Sequence, residues 1–307
     1  MKKILFLFIL IFSVMPLIAQ EKTDISSSSD LLLQISSLPE AKFGFTQRFT
    51  FPFLQGENPM TADNNISLAM TAELSPISIN GVVEMVWTPI AFLQFAAGGR
   101  IGSGWNINLF DADVYGIGIN QSDINGNAEI NGNAFDGLLW KVQMGGAFQF
   151  DLAAIIPGNW NHVVFRSYHE TNYKGYTRAK ANEAWYFEAD EGENCNGFNY
   201  YGNFLLGYQM PIFLNIIGVL TEMDMYLYDT PGREKWGDNL VRWTFSSILG
   251  FEITKAFSIT MLTQFRTRRN FIEANWEDLY YRNRTLDTSN KIRLEFYRVA
   301  AALTYKF

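Results

Sequence analysis

Read backwards from the C-terminus, Phe307, Tyr305, Leu303, Ala301, Val299 and Tyr297 form one apolar face at period two, while Lys306, Thr304, Ala302, Ala300 and Arg298 form the other. A helix would bring its apolar residues round every three to four positions; strict alternation marks a half-buried strand. The pattern recurs in Val241, Trp243, Phe245, Ser247, Leu249, Phe251 and Ile253, and again in Trp140, Val142, Met144, Gly146, Phe148 and Phe150. Along the whole chain it predicts ten strands, at 43–53, 64–88, 90–102, 137–150, 162–174, 199–210, 214–228, 240–253, 257–269 and 290–307. Two places leave alternatives open. At Ser75-Pro76 the apolar parity shifts between Leu74 and Ile77, which a bulge explains within one strand and a tight turn explains by splitting it. Val114 to Gln121 offers another strand, which would bring the total to twelve.

The connections alternate in length. Joints at Thr88-Pro89, Met210 to Ile212 and Thr254 to Ala256 are short, and those near 54–63, 103–136, 175–198, 229–239 and 270–289 are long and polar. Short turns at one rim and long loops at the other are the habit of membrane β-barrels, whose even strand number returns both termini to one side. The one candidate helical span, Leu205 to Leu220, is interrupted by Gln209, Pro211 and Asn215 and is too short. In lipid only helices or closed barrels satisfy the backbone. The expected fold is therefore all-β: a transmembrane antiparallel up-and-down β-barrel of about ten strands, with twelve as the alternative. Ahead of it, Lys2-Lys3, the apolar run Ile4 to Val14, Pro16 and small Ala19 read as a signal peptide over 1–19, cleaved near Ala19. Residues 20–42 are expected to be a periplasmic N-terminal segment and 43–307 the barrel.

The last strand, with Phe307, Tyr305 and Leu303 on alternate positions up to a terminal aromatic, resembles the C-terminal signature of bacterial outer-membrane β-barrel proteins. The resemblance also takes in the signal segment and the general strand pattern, and it points to no particular subfamily. It implies an outer-membrane location, recognition of Phe307, Tyr305 and Leu303 by the barrel-assembly machinery, and outer-membrane lipid as a partner.

Composition changes the picture in three ways. Aromatics are 16% of the chain, with 26 Phe, a load that suits a lipid-facing wall with aromatic girdles. Net charge is −7 and there is no basic run, so nucleic acid is excluded as a partner. Cys195 is the single cysteine and the histidines are two, so neither an internal disulfide nor a structural zinc site is expected, and no cofactor is implied.

Strand parity turns Arg48, Glu84, Arg100, Lys141, Arg166, Glu170, Glu222, Asp224, Arg242, Arg266, Arg268 and Arg298 inward, since a charge facing lipid at mid-depth costs ~2–4 kcal/mol. Glu222, Asp224, Arg242, Arg266, Arg268 and Arg298 fall at similar heights and form the candidate lumen cluster. Two functions remain open. One is a porin-like conduit for small polar solutes, with an anion preference set by the arginine surplus. The other is a closed structural or surface-interaction barrel in which Glu222 and Asp224 pair with Arg242, Arg266 and Arg268. An outer-membrane enzyme ranks third: Ser167 and His169 share a face, but parity makes it the lipid-facing one, away from Glu170. The remaining loops read as a surface hairpin around the repeat at Ile124–Ala134, a solvated acidic tip at Glu188, Asp190, Glu191 and Glu193, and an aromatic and cationic patch at Trp276 to Arg284.

Overall fold

The computed structural model describes residues 25–38, 40–109, 112–188 and 190–307. The expected signal peptide at 1–19 lies outside them. Twelve strands close an antiparallel barrel: β1 (Ser26–Ser36), β2 (Ala41–Pro52), β3 (Asn65–Ser75), β4 (Ser78–Ile90), β5 (Leu93–Gly104), β10 (Leu139–Asp151), β11 (His162–Tyr176), β13 (Gly197–Gln209), β14 (Leu214–Tyr226), β15 (Arg242–Glu252), β16 (Phe257–Arg269) and β17 (Ile292–Lys306). Each pairs with its chain neighbour in the barrel, and β1 closes the ring on β17, with Leu31 opposite Tyr305 and Leu33 opposite Leu303.

The twelve arise by another route than Val114–Gln121. Residues 64–88 are a hairpin, not a bulged strand: β3 and β4 meet at a turn over Pro76-Ile77, with Ser75 paired to Ser78 and their hydroxyls 2.7 Å apart. Proline suits such a turn because its φ is already set and it gives up no ladder hydrogen bond there. The second extra strand is β1, within the stretch expected to be a periplasmic segment. Leu31, Leu33 and Ile35 alternate along it, but Leu32 between them fills out a three-leucine run that hides the period. The loop at 54–63 moves too. The added strands place it at the end that carries both termini, the near end, where Met60 accepts a hydrogen bond from the neighbouring turn at Ala91.

Outward positions hold large apolar side chains that the protein leaves uncovered, among them Phe45, Val83, Met85, Val142, Met144, Leu206, Val219, Leu249, Met261 and Phe265. Aromatics mark both borders of this band. Trp140, Tyr173 and Phe198 contact in sequence toward the far end, and Phe92, Phe148 and Phe165 toward the near end. One strand departs from simple alternation. The register of β17 shifts between its partners Gln264 and Phe265, so Tyr297 is an extra residue. It turns inward beneath Arg266 and Arg298 instead of joining the outer face as the alternation predicted.

At the far end the long connections fold together. Strands β8 (Ile117–Ser122), β9 (Ala128–Asn131) and β12 (Ala184–Phe187) make a three-stranded sheet; β6 (Ile107–Leu109) and β7 (Ala112–Val114) pair separately, and α1 (Arg233–Trp236) is a single turn. Two small cores hold this cap. Ile117, Trp185 and Phe187 pack on Leu139 and Tyr176 of the barrel wall, while Ala184, Cys195, Trp236 and Tyr281 pack among the loops. The repeat at 124–134 does contain a hairpin, with Asp123 accepting from the amides of Asn125 and Asn127 at 2.7 Å, but β12 pairs alongside it.

Candidate functional site in the barrel lumen

The loop between β11 and β13 turns down into the barrel mouth and lays its carboxylates against the wall. On one side Glu188 accepts hydrogen bonds from Lys42 Nζ of β2 at 3.0 Å, and from Ser78 Oγ and Asn80 Nδ2 of β4 at 2.6 and 3.0 Å. On the other, Glu191 lies 3.1 Å from Arg266 and 4.0 Å from Arg268 of β16. Glu193 is paired with Arg269 of β16 and stands 3.6 Å from Arg284 of the last loop. Strands β4 and β16 are five places apart in a ring of twelve, so the segment is a strap across the lumen. The acidic tip expected to be solvated is therefore an inward, ion-paired element.

The strap's own bonds explain its shape. Glu188 has φ 56°, a left-handed conformation that a non-glycine residue adopts only when its surroundings hold it, here the three wall donors. Gly192 has φ +69° and lets the chain reverse between the two glutamates; a Cβ there would meet Asn120 Nδ2 at 2.6 Å. Asn120, on β8, donates that amide to the Gly192 carbonyl at 2.7 Å, and Asp190 accepts from the Gly192 N–H at 2.8 Å. Farther along, Asn194 accepts from Lys174 Nζ at 2.7 Å and the Trp185 amide donates to the Asn194 carbonyl at 2.8 Å.

Burial acts to raise the carboxyls of Glu188 and Glu193, but the cations around them win. Lys42, with Ser78 and Asn80, holds Glu188 below the ordinary carboxylate range; Arg269, Arg242 and Arg284 do the same for Glu193. Both stay charged at neutral pH, as a latch made of ion pairs requires.

The six residues of the expected lumen cluster all lie at this level, but not as one network. Asp224 accepts from Arg242 Nη2 at 3.0 Å, and Arg242 Nη1 also donates to Tyr226 Oη at 2.6 Å. Glu222 bonds no arginine among the described residues and instead accepts from Tyr201 Oη at 2.6 Å. Arg266 and Arg268 turn instead to Glu191 of the strap and to Glu295 of β17, which lie 3.1 and 3.6 Å away at the latter. Arg298 bonds Gln264 at 2.7 Å and pairs with Glu40 at the β1–β2 turn. Of the other inward charges, Lys141 pairs with Glu170 at 2.7 Å and Arg100 with Glu73 at 3.1 Å. Glu84 and Arg166 line a cavity of about 240 Å³ nearer the terminal end, and Arg48 is in register at the height of Glu84.

Sequence reasoning missed the strap glutamates because a loop has no period to assign its faces. It missed Glu295 because the extra residue at Tyr297 reverses parity above it. The signal that was available is charge: four acids close together in one long loop, facing a wall rich in arginine.

The strap divides the upper lumen. A chamber of about 410 Å³ lies against β14–β16, lined by Arg242, Arg266, Arg268, Arg269, Glu193 and Trp276. A second, of about 640 Å³, lies against β1, β2 and β17, where Ala300, Ala302 and Leu262 supply a smoother wall. Asp190 and Tyr297 line both and stand between them.

The histidines lie apart from the lumen cluster. His162 Nδ1 is 2.7 Å from Asp151 at the near rim. His169 faces outward, 2.9 Å from Ser167 Oγ and bonded to Tyr200, while Glu170 points into the lumen. Cys195 is buried; burial pushes its thiol up, which makes it a poor nucleophile in its place between Tyr281 and Arg282. Among the described residues no group of acidic, histidine or cysteine side chains has the geometry of a metal site.

No family model matches the chain, and no curated protein matches it. Among solved structures it is similar to a KdgM porin at 9% identity and TM-score 0.39, covering 91% of this chain and 99% of that one. It is similar also to CdiB from Acinetobacter baumannii, at 9% identity and TM-score 0.36, covering 92% of this chain and 60% of that one. A third is the TodX deltaS2S3 mutant monoaromatic hydrocarbon channel, at 9% and 0.28, covering 94% and 91%. With every TM-score below 0.5, these likenesses carry no weight for function.

Proposed function

We propose that the protein is an outer-membrane barrel forming a conduit for small polar solutes, closed at rest by the strap and favouring anions when open. The outward band supports the membrane location: a continuous belt of exposed Phe, Leu, Val and Met is unfavourable in water and matched to lipid. The observation that carries the conduit reading is the strap itself. Its carboxylates pair with Lys42, Arg266, Arg268 and Arg269, so moving it aside leaves Arg269 without its carboxylate and Arg266 and Arg268 sharing Glu295, a cation surplus that favours anions.

The test is conductance of the refolded protein in planar bilayers, with reversal potentials in a salt gradient. Wild type is expected to show rare openings, and a variant with 185–194 replaced by a short Gly-Ser linker steady, anion-selective current. Silence from a folded strap-less barrel would favour the second reading, a closed barrel that acts through its surface loops. That reading draws on the two loop cores, which make the cap a folded surface in its own right. An enzymatic role for Ser167 and His169 has less support, because no carboxylate orients the imidazole.

A further inference from the structure

Four arginines converge on two strap glutamates. Arg266 and Arg268 address Glu191, and Arg269 and Arg284 address Glu193, in a chamber of about 410 Å³. Two of the four are built in rather than wetted: Arg269 and Arg284 are each only 8% exposed. Aromatic planes hold the guanidinium groups in place, Arg266 over Tyr297 at 4.3 Å and Arg268 over Trp276 at 4.5 Å. We propose that this chamber binds a small solute carrying two carboxylates, and that Glu191 and Glu193, on its strap side, hold its arginines at rest as a built-in substitute for that solute.

Charge compensation sets the ligand class. A buried cation left without a partner is strongly destabilising, so Arg269 and Arg284 need an anion whether the strap is in or out. A conduit that opened by simple withdrawal of the strap would expose that penalty. An exchange of one pair of carboxylates for another does not. A monoanion replaces only one of the two glutamates, whereas a dianion replaces both. Guanidinium forks suit carboxylates, which they bind through paired N–H groups.

The strap is also an imperfect occupant. Among the described residues, Arg268 Nε is buried with no hydrogen-bond partner, its nearest strap oxygen 4.0 Å away, and Glu193 Oε1 accepts no hydrogen bond although Arg284 lies 3.6 Å off. A free diacid, not tied to the chain at both ends, reaches these unused groups. The strap then latches the chamber while leaving a margin by which a solute displaces it.

Binding is independent of conduction, and only the opening that follows rests on the conduit reading. The probe is acetyl-Glu-Gly-Glu-amide, with acetyl-Gln-Gly-Gln-amide as the uncharged control, titrated at constant ionic strength onto the full chain in nanodiscs. Trp276 lines the chamber against Arg268 and reports occupancy by fluorescence. Saturable binding of the diacid and none of the diamide is expected. E191Q weakens the internal competitor at a side chain that is 40% exposed, so it should fold and bind the diacid about 10-fold more tightly. R268Q should bind it at least ~10-fold more weakly. Equal response to diacid and diamide, or unchanged affinity in E191Q, would overturn the site. Bilayer conductance separates the two readings. Diacid binding with no current in any variant removes the conduit and leaves the site; current in E191Q without diacid binding removes the site and leaves the gate.

Discussion

Asp238, in the loop after β14, is 2% exposed, and neither of its carboxylate oxygens has a hydrogen-bond partner among the described residues. Burial pushes its carboxyl up to about 6, with Arg269 opposing and Glu193 adding to the rise. The folded value lies above the unfolded one, so the folded protein binds the extra proton. The penalty is therefore present above pH 6 and is relieved as the pH falls toward 4. Asp238→Asn is expected to stabilise the protein at pH 7.5 by up to about 3 kcal/mol and to change little at pH 4. Thermal melts of both proteins in the same detergent at the two pH values check this; a variant equally stabilised at pH 4 would mean that charge burial is not the cause. Nothing in the sequence separates Asp238 from any loop aspartate. It lies two residues after Trp236, which packs on Tyr281 only once the loops fold together. The inward wall charges are different. Arg242 and Arg266 sit on strands whose outward positions are apolar but for Ser247, Thr263 and Thr267, and there period two assigns the face directly.

Among the elements, the strap depends most on a single backbone conformation. Gly192 is placed at φ +69° between the two glutamates that face β16, with Asn120 too close for a side chain. Gly192→Val combines a left-handed penalty of ~1–2 kcal/mol with a clash against Asn120, so the strap should lift while the barrel stays intact. Hydrogen exchange should then accelerate across residues 185–194 and remain slow in β13 and β14. Uniform acceleration would show that strap and wall unfold as one unit. The same scale explains which elements were legible from the chain. Strands β10, β15 and β16 turn one apolar face outward and one polar face to the lumen, so their pattern is forced. Strand β1 escapes because Ser26 to Ser29 carry no apolar signal and Leu31-Leu32-Leu33 shows no period. The β3–β4 turn escapes because a parity shift at Ser75-Pro76 is common to a bulge and to a two-residue turn. Length favours the turn, since 64–88 far exceeds the ~9–11 residues that a membrane strand needs.

The whole molecule is closed at one seam, and that seam ends on Phe307. Its carbonyl accepts from the Ser29 amide at 3.1 Å, its amide donates to the Ser29 carbonyl at 3.0 Å, and its ring stacks near Phe45 and Tyr305. The C-terminal resemblance assigns the same residue, with Tyr305 and Leu303, to recognition during assembly. The two roles make different demands. Closure needs the backbone of Phe307, two hydrogen bonds worth roughly 0.5–1.5 kcal/mol each. Recognition needs its aromatic ring. Phe307→Ala keeps both backbone bonds and removes the ring, whereas deletion of Phe307 removes everything. If recognition dominates, Phe307→Ala should lower outer-membrane abundance in cells nearly as far as deletion does. Once refolded in vitro, where no assembly machinery acts, it should melt within ~1 kcal/mol of wild type, the ring being exposed at the rim. If closure dominates, Phe307→Ala should assemble normally, and only deletion should lower both abundance and in vitro stability. Quantitative blots of outer-membrane fractions, set beside melts of refolded protein, distinguish the two. Normal abundance of the deleted chain would remove Phe307 from assembly and would leave closure to the seven residue pairs that hold β1 against β17 from Asp30–Lys306 to Ser36–Ala300.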